Sequence, residues 1–89
     1  MADEVFTQKT IRSFFKDGRL TTIPAREKRR LVVYRYLRDR IFTEDRAYPE
    51  AEVNMALALV HPDVATIRRG MVDAGLVTRA VGEYRRGPA

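Results

Sequence analysis

Three prolines punctuate this chain more tightly than any apolar run does. Pro24, Pro49 and Pro62 each stand where a helix can begin but not continue. The ring presets a helical φ and removes the amide donor that an interior turn needs. Gly18 and Gly75 stand where helices can stop, since only glycine enters the left-handed region without cost. These breaks divide the chain into short pieces. The apolar spacing within each piece then selects helix or strand.

Residues 7–15 predict a short helix, capped by Thr7, with Ile11, Phe14 and Phe15 on one edge. Lys16-Asp17-Gly18-Arg19 closes it in a left-handed turn, and Leu20 to Ile23 reads as a strand or extended brace before Pro24. Residues 25–41 form the longest expected helix, its stripe being Val33, Tyr34, Leu37 and Ile41. A polar break with one aromatic, Phe42, leads to a very short strand or bridge at Ala47-Tyr48. Pro49 is expected to open the next helix, with Glu50 and Glu52 in its first turn and Val53, Ala56, Leu57 and Val60 inward. His61-Pro62-Asp63 interrupts it. Asp63 starts a further helix that buries Val64, Ile67, Met71 and Val72 and ends at Ala74-Gly75. Beyond Gly75 the alternation from Leu76 to Tyr84 is that of a hairpin turning at Val81-Gly82.

The expected fold class is therefore mainly α with a small β-hairpin: a winged helix-turn-helix preceded by an extra N-terminal helix. A bare three-helix bundle is the alternative, and the Gly75 stop with the alternation after it argues against that. The 89 residues make one domain, with residues 1–5 and 87–89 expected to be disordered.

At this point the order of residues resembles a bacterial family, domain of unknown function 2087. The resemblance rests on Phe14-Phe15, Asp17-Gly18-Arg19-Leu20, Ile23-Pro24, and Tyr48 with Glu50, Glu52, Val53 and Asn54. It continues through His61, Asp63, Ile67-Arg68-Arg69, Val72-Asp73, Gly75, Arg79, Gly82 and Tyr84. It covers nearly everything from Phe14 to Arg86. What it implies is a domain found alone or fused behind helix-turn-helix segments in proteins described as transcriptional regulators. The family has no established activity. Pro49 departs from it, because relatives commonly carry a helix-capping serine after the tyrosine.

Charge narrows the partner. Seventeen basic residues stand against twelve acidic, for a net charge of +5, which suits nucleic acid or an acidic protein face. Fourteen of the seventeen are arginine, the better bidentate ligand for phosphate and base edges, although arginine-favouring codon usage explains the same excess. With no cysteine there is no disulfide, zinc–thiolate site or thiol nucleophile. The acidic, polar start lacks a secretory pattern and no stretch is long enough to cross a membrane, so a soluble cytoplasmic protein without a membrane partner is expected. His61 is the only histidine and reads as a cap or packing residue. Glu50 and Glu52 are too close in sequence to share a helix face, and no phosphate loop, nucleophile elbow or metalloprotease pattern occurs. A non-enzyme without cofactor or metal follows.

The candidate DNA-binding residues are Thr66, Arg68, Arg69, Arg79, Arg85 and Arg86. On the last long helix Thr66 and Arg69 point outward, Arg68 lies at the boundary, and Gly70 would permit close approach of a groove. The competing structural reading pairs Arg69 with Asp73 and Arg68 with Glu50 or Glu52, and the acids on this helix favour it. On the hairpin, Arg79, Arg85 and Arg86 surround Tyr84 and could follow phosphates, or simply be solvated. The dense run Arg26, Lys28, Arg29, Arg30, Arg35, Arg38 and Arg40 reads more readily as the solvated face of an amphipathic helix. The leading expectation is double-stranded DNA binding in a bacterial regulator, with a homodimer or regulatory protein partner needed for specificity. The rival is a non-catalytic protein-interaction module on the same fold.

Overall fold

A computed structural model describes residues 2–89; Met1, part of the expected N-terminal disorder, lies outside them. Helix α1 spans Ala2–Phe14, so it begins well before Thr7, with residues 2–5 in its first turn. Thr7 caps nothing. The side chain that bonds backbone here is Thr10, whose hydroxyl donates to Phe6 O at 2.7 Å. Strands β1 (Phe15–Lys16) and β2 (Arg19–Leu20) pair across a two-residue turn in which Asp17 and Gly18 take φ of 53° and 78°. Two positive φ values in succession suit Asp-Gly and match the strand twist.

Helix α2 spans Glu27–Ile41 and starts two residues later than expected. Arg26 holds the cap position without a side-chain bond, and Arg30 turns back to donate to the carbonyls of Pro24 and Ala25. Val33, Tyr34 and Leu37 are buried, as their spacing predicts, and Ile41 packs partly against the core. Strand β3 is Tyr48–Pro49 and helix α3 is Glu50–Ala58, which puts Pro49 one residue ahead of the helix instead of inside it. Phe42 of the polar break is completely buried, edge-to-face with Tyr48 at 4.8 Å.

Helix α4 spans Val64–Asp73. Its start is built locally: His61 Nδ1 accepts the Asp63 N–H at 3.0 Å, and the Asp63 carboxylate accepts the Thr66 N–H at 3.3 Å. Burial slightly opposes this charge, but the Thr66 bond dominates and holds the Asp63 carboxyl below its ordinary range. The helix ends in a paired C-terminal motif. Gly75, at φ 74°, donates to Val72 O, and Leu76 donates to Met71 O at 2.9 Å.

Strands β4 (Val77–Ala80) and β5 (Glu83–Arg86) form the expected hairpin, turning at Val81 and Gly82 with φ of 47° and 76°. The sheet order is β3-β5-β4, antiparallel throughout, with Tyr48 opposite Tyr84 and Tyr84 opposite Arg79. Side chains alternate across it. Val77, Arg79, Tyr84 and Arg86 therefore share the face turned to the helices, while Thr78, Ala80, Glu83 and Arg85 share the outer face. The result is a mainly α domain with two small antiparallel sheets around one core from Leu20 to Tyr84.

Residues 87–89 lie against the fold. Gly87 donates to Leu76 O at 2.8 Å, and Arg38 donates to Ala89 O at 2.9 Å. A Cβ built on Gly87 would meet Gly75 O at 2.5 Å, so this close backbone approach requires glycine.

Candidate nucleic-acid interface

The outward face of α4 and the inner face of the β4–β5 hairpin bound one open cleft of about 210 Å³. Ala65, Arg68, Arg69 and Val72 line it from the helix, at the spacing that puts four residues on one helical side. Arg79 and Tyr84 line it from the sheet, and Glu50, the first residue of α3, closes one end. Three arginines thus converge from two elements that the Gly75 stop folds against each other.

Each basic group has a different degree of freedom. Arg69 is exposed and makes no ion pair among the described residues. Arg68 is half-buried and donates to Asn54 Oδ1 on α3, which aims its guanidinium along the cleft wall. Arg79 is held loosely, its Nη2 at 3.6 Å from Glu50 Oε1 and its guanidinium 6.0 Å from the centre of the Tyr84 ring. The Tyr84 hydroxyl donates to Glu50 Oε1 at 3.0 Å. Burial, reinforced by that carboxylate, raises the Tyr84 phenol above its ordinary value, so it remains a donor across the neutral range.

Of the six expected residues, the structure therefore brings Arg68, Arg69 and Arg79 together. Thr66 is exposed on the same helix but outside the cleft. Arg85 sits on the outer face of the sheet, opposite Thr78. Arg86 is exposed but already engaged within the chain: it donates to Asp39 Oδ1 at 2.7 Å and to Phe42 O at 3.1 Å. Neither expected structural pairing forms. Asp73 takes no arginine among the described residues, and Glu52 is occupied by Arg46 at 2.6 Å.

Gly70 corrects another expectation. It does not open the helix to an outside partner, because the Tyr34 ring of α2 fills the space where its Cβ would stand, with Cε2 at 2.5 Å. Arg38 corrects a third. Instead of joining a solvated basic face it is buried, donating to Asp39, to Leu76 O at 3.2 Å and to Ala89 O. Its sequence signal is faint: it lies one position from Leu37, at the edge of the buried stripe. Much of the remaining run on α2 is also used locally. Lys28 and Arg29 stack over Phe6 at 4.5 and 5.7 Å, and Arg40 lies 5.3 Å from the Tyr36 ring and bonds its hydroxyl.

Among the described residues no group of three or more His, Cys, Asp or Glu side chains could hold a metal ion, and no helix is long and apolar enough to cross a membrane. Compared with known families, residues 19–86 match the profile of an uncharacterized protein conserved in bacteria, DUF2087. The chain belongs to this family. The DUF2087 segment runs from the start of β2 to the end of β5 and contains every residue of the cleft. Helix α1 and the Phe14-Phe15 and Asp17-Gly18 positions lie ahead of it. No curated protein and no solved structure matches the chain.

Proposed function

We propose that this DUF2087 domain is a non-catalytic winged helix-turn-helix module that binds duplex DNA as part of a bacterial, cytoplasmic transcriptional regulator. The element order α2, β3, α3, α4, β4, β5, with β3 added to the hairpin, supports the winged-helix reading. The observation that carries the DNA reading is the convergence of Arg68, Arg69 and Arg79 on one open cleft between α4 and the hairpin. A backbone phosphate seated there receives charge from both elements at once and fixes α4 against the groove. Arg69 and Thr66 then face the base edges, where a bidentate arginine–guanine contact is worth about 1–3 kcal/mol of discrimination. Arg85, on the outer face, adds a contact to a neighbouring phosphate. Arg86 acts through the fold, pinning the hairpin to α2. One such module binds weakly, so sequence specificity calls for a second copy or a fused reader.

One observation favours the rival protein-docking role. Met55 on α3 and Leu59 just past its end are each 73% exposed, and Ala51 and Ala58 of the same helix are exposed too. These are exposed apolar side chains on a chain that is 33% charged. Fluorescence anisotropy of a labelled random duplex at about 50 and 200 mM salt separates the two. The DNA reading expects binding whose log affinity falls with log salt at a slope of about −4, and a clear loss for Arg69→Ala. Absence of binding at low salt gives the function to a protein partner.

A further inference from the structure

The same cleft already holds an anion. Glu50 Oε1 lies between the Tyr84 hydroxyl at 3.0 Å and the Arg79 guanidinium at 3.6 Å, on the wall that Arg68 and Arg69 also line. Its backbone is fixed as well, because the Glu50 N–H donates to Gly82 O at 2.9 Å in the hairpin turn. A carboxylate held this way is set against the hairpin from both its main chain and its side chain. It has partners on the hairpin that a freely solvated helix-start glutamate would lack. We propose that Glu50 is an internal competitor for phosphate: it occupies the anion position at Arg79 and sets how strongly the cleft takes a nucleic-acid backbone. This rests on the DNA reading given above.

The physical consequence is a threshold. A phosphate entering the cleft must displace Glu50 from Arg79 or share that guanidinium with a like charge nearby, and both weaken binding. The Tyr84 hydroxyl holds the carboxylate in place when Arg79 turns outward, so the fold is undisturbed while the arginine changes partner. Glu83 is the natural control. It carries the same charge close to the cleft, on the hairpin instead of on α3, but lies on the outer sheet face, opposite Ala80.

Glu50→Gln tests this directly, because the amide oxygen still accepts from Tyr84 while the charge is gone. The expected result is duplex affinity about fivefold higher than that of the unaltered protein at low salt, with a log–log salt slope steeper by about one. Glu83→Gln, with the same change in net charge, should alter affinity by less than about twofold. On an Arg79→Ala background Glu50→Gln should bring no gain over Arg79→Ala alone, which a merely structural role for Glu50 does not predict. Glu50→Ala, checked for an intact helical spectrum, should reproduce the gain and guards against misfolding of the first variant. If the unaltered protein binds and neither Glu50 variant binds tighter, the competitor role is overturned and the DNA reading stands. If no variant binds at all, both are overturned.

Discussion

Gly70 and Tyr34 illustrate how a single missing atom joins two helices. The Tyr34 ring occupies the place of a Gly70 Cβ, and Tyr34 itself is 5% exposed, so a side chain at position 70 must push a buried ring aside. Burial also raises its phenol pKa, consistent with a hydroxyl shielded by α4. Gly70→Ala, harmless by helix propensity alone, is therefore expected to destabilise the domain by about 1–3 kcal/mol through overpacking. Urea denaturation followed by circular dichroism reads the change. A variant as stable as the parent, or more so, would show that the ring yields freely. Nothing in the residue types around position 70 announces this contact, because an outward glycine and a glycine under an aromatic ring look alike in sequence.

At the scale of elements, α2 is tied to the hairpin through one carboxylate. Asp39 accepts from Arg38 at 2.7 Å and from Arg86 at 2.7 Å, and Arg38 continues to the carbonyls of Leu76 and Ala89. Burial opposes the charge on Asp39, but the two arginine bonds outweigh it and hold its carboxyl below its ordinary value. A depressed folded-state pKa contributes stability that is present above the unfolded value and lost as pH falls through the folded one. The stability difference between the parent and Asp39→Asn should therefore be full above about pH 5 and shrink toward zero as pH drops below about 4. Asp39 is 54% exposed, so screening keeps that difference to about 1 kcal/mol or less. Denaturation midpoints at several pH values measure it, and a difference independent of pH would contradict the ion-pair account.

Elements whose determinants are local are legible in the sequence itself. Asp17-Gly18 makes a left-handed turn, Asp63 caps α4, and Gly75 ends it in a left-handed residue, each by chemistry confined to a few neighbouring positions. The pairing of Phe15–Lys16 with Arg19–Leu20 across the first turn is not expected, since Phe15 reads as helix. Features that depend on distant partners are not legible there. The docking of residues 87–89, the burial of Arg38 and the engagement of Arg86 all need α2 and the hairpin to meet first. Half of the candidate site follows the same division. Helical spacing alone puts Arg68 and Arg69 on one side of α4, whereas the presence of Glu50 beside Arg79 depends on the register of β3 against β5.

For the whole molecule, the net charge of +5 matters less than where its unengaged part lies. Stacking on Phe6 and Tyr36, hydrogen bonding to carbonyls, and burial take up much of the basic run of α2, which leaves the α4–hairpin cleft as the place where arginines converge from two elements. The central claim is that duplex DNA meets the protein there. Amide chemical shifts of the 15N-labelled domain, followed while an unlabelled duplex is added, test it most directly. The account expects the largest changes at Thr66 to Arg69 and at Arg79 to Tyr84. Changes centred on α2, or on Met55 of α3 and Leu59 after it, would contradict it.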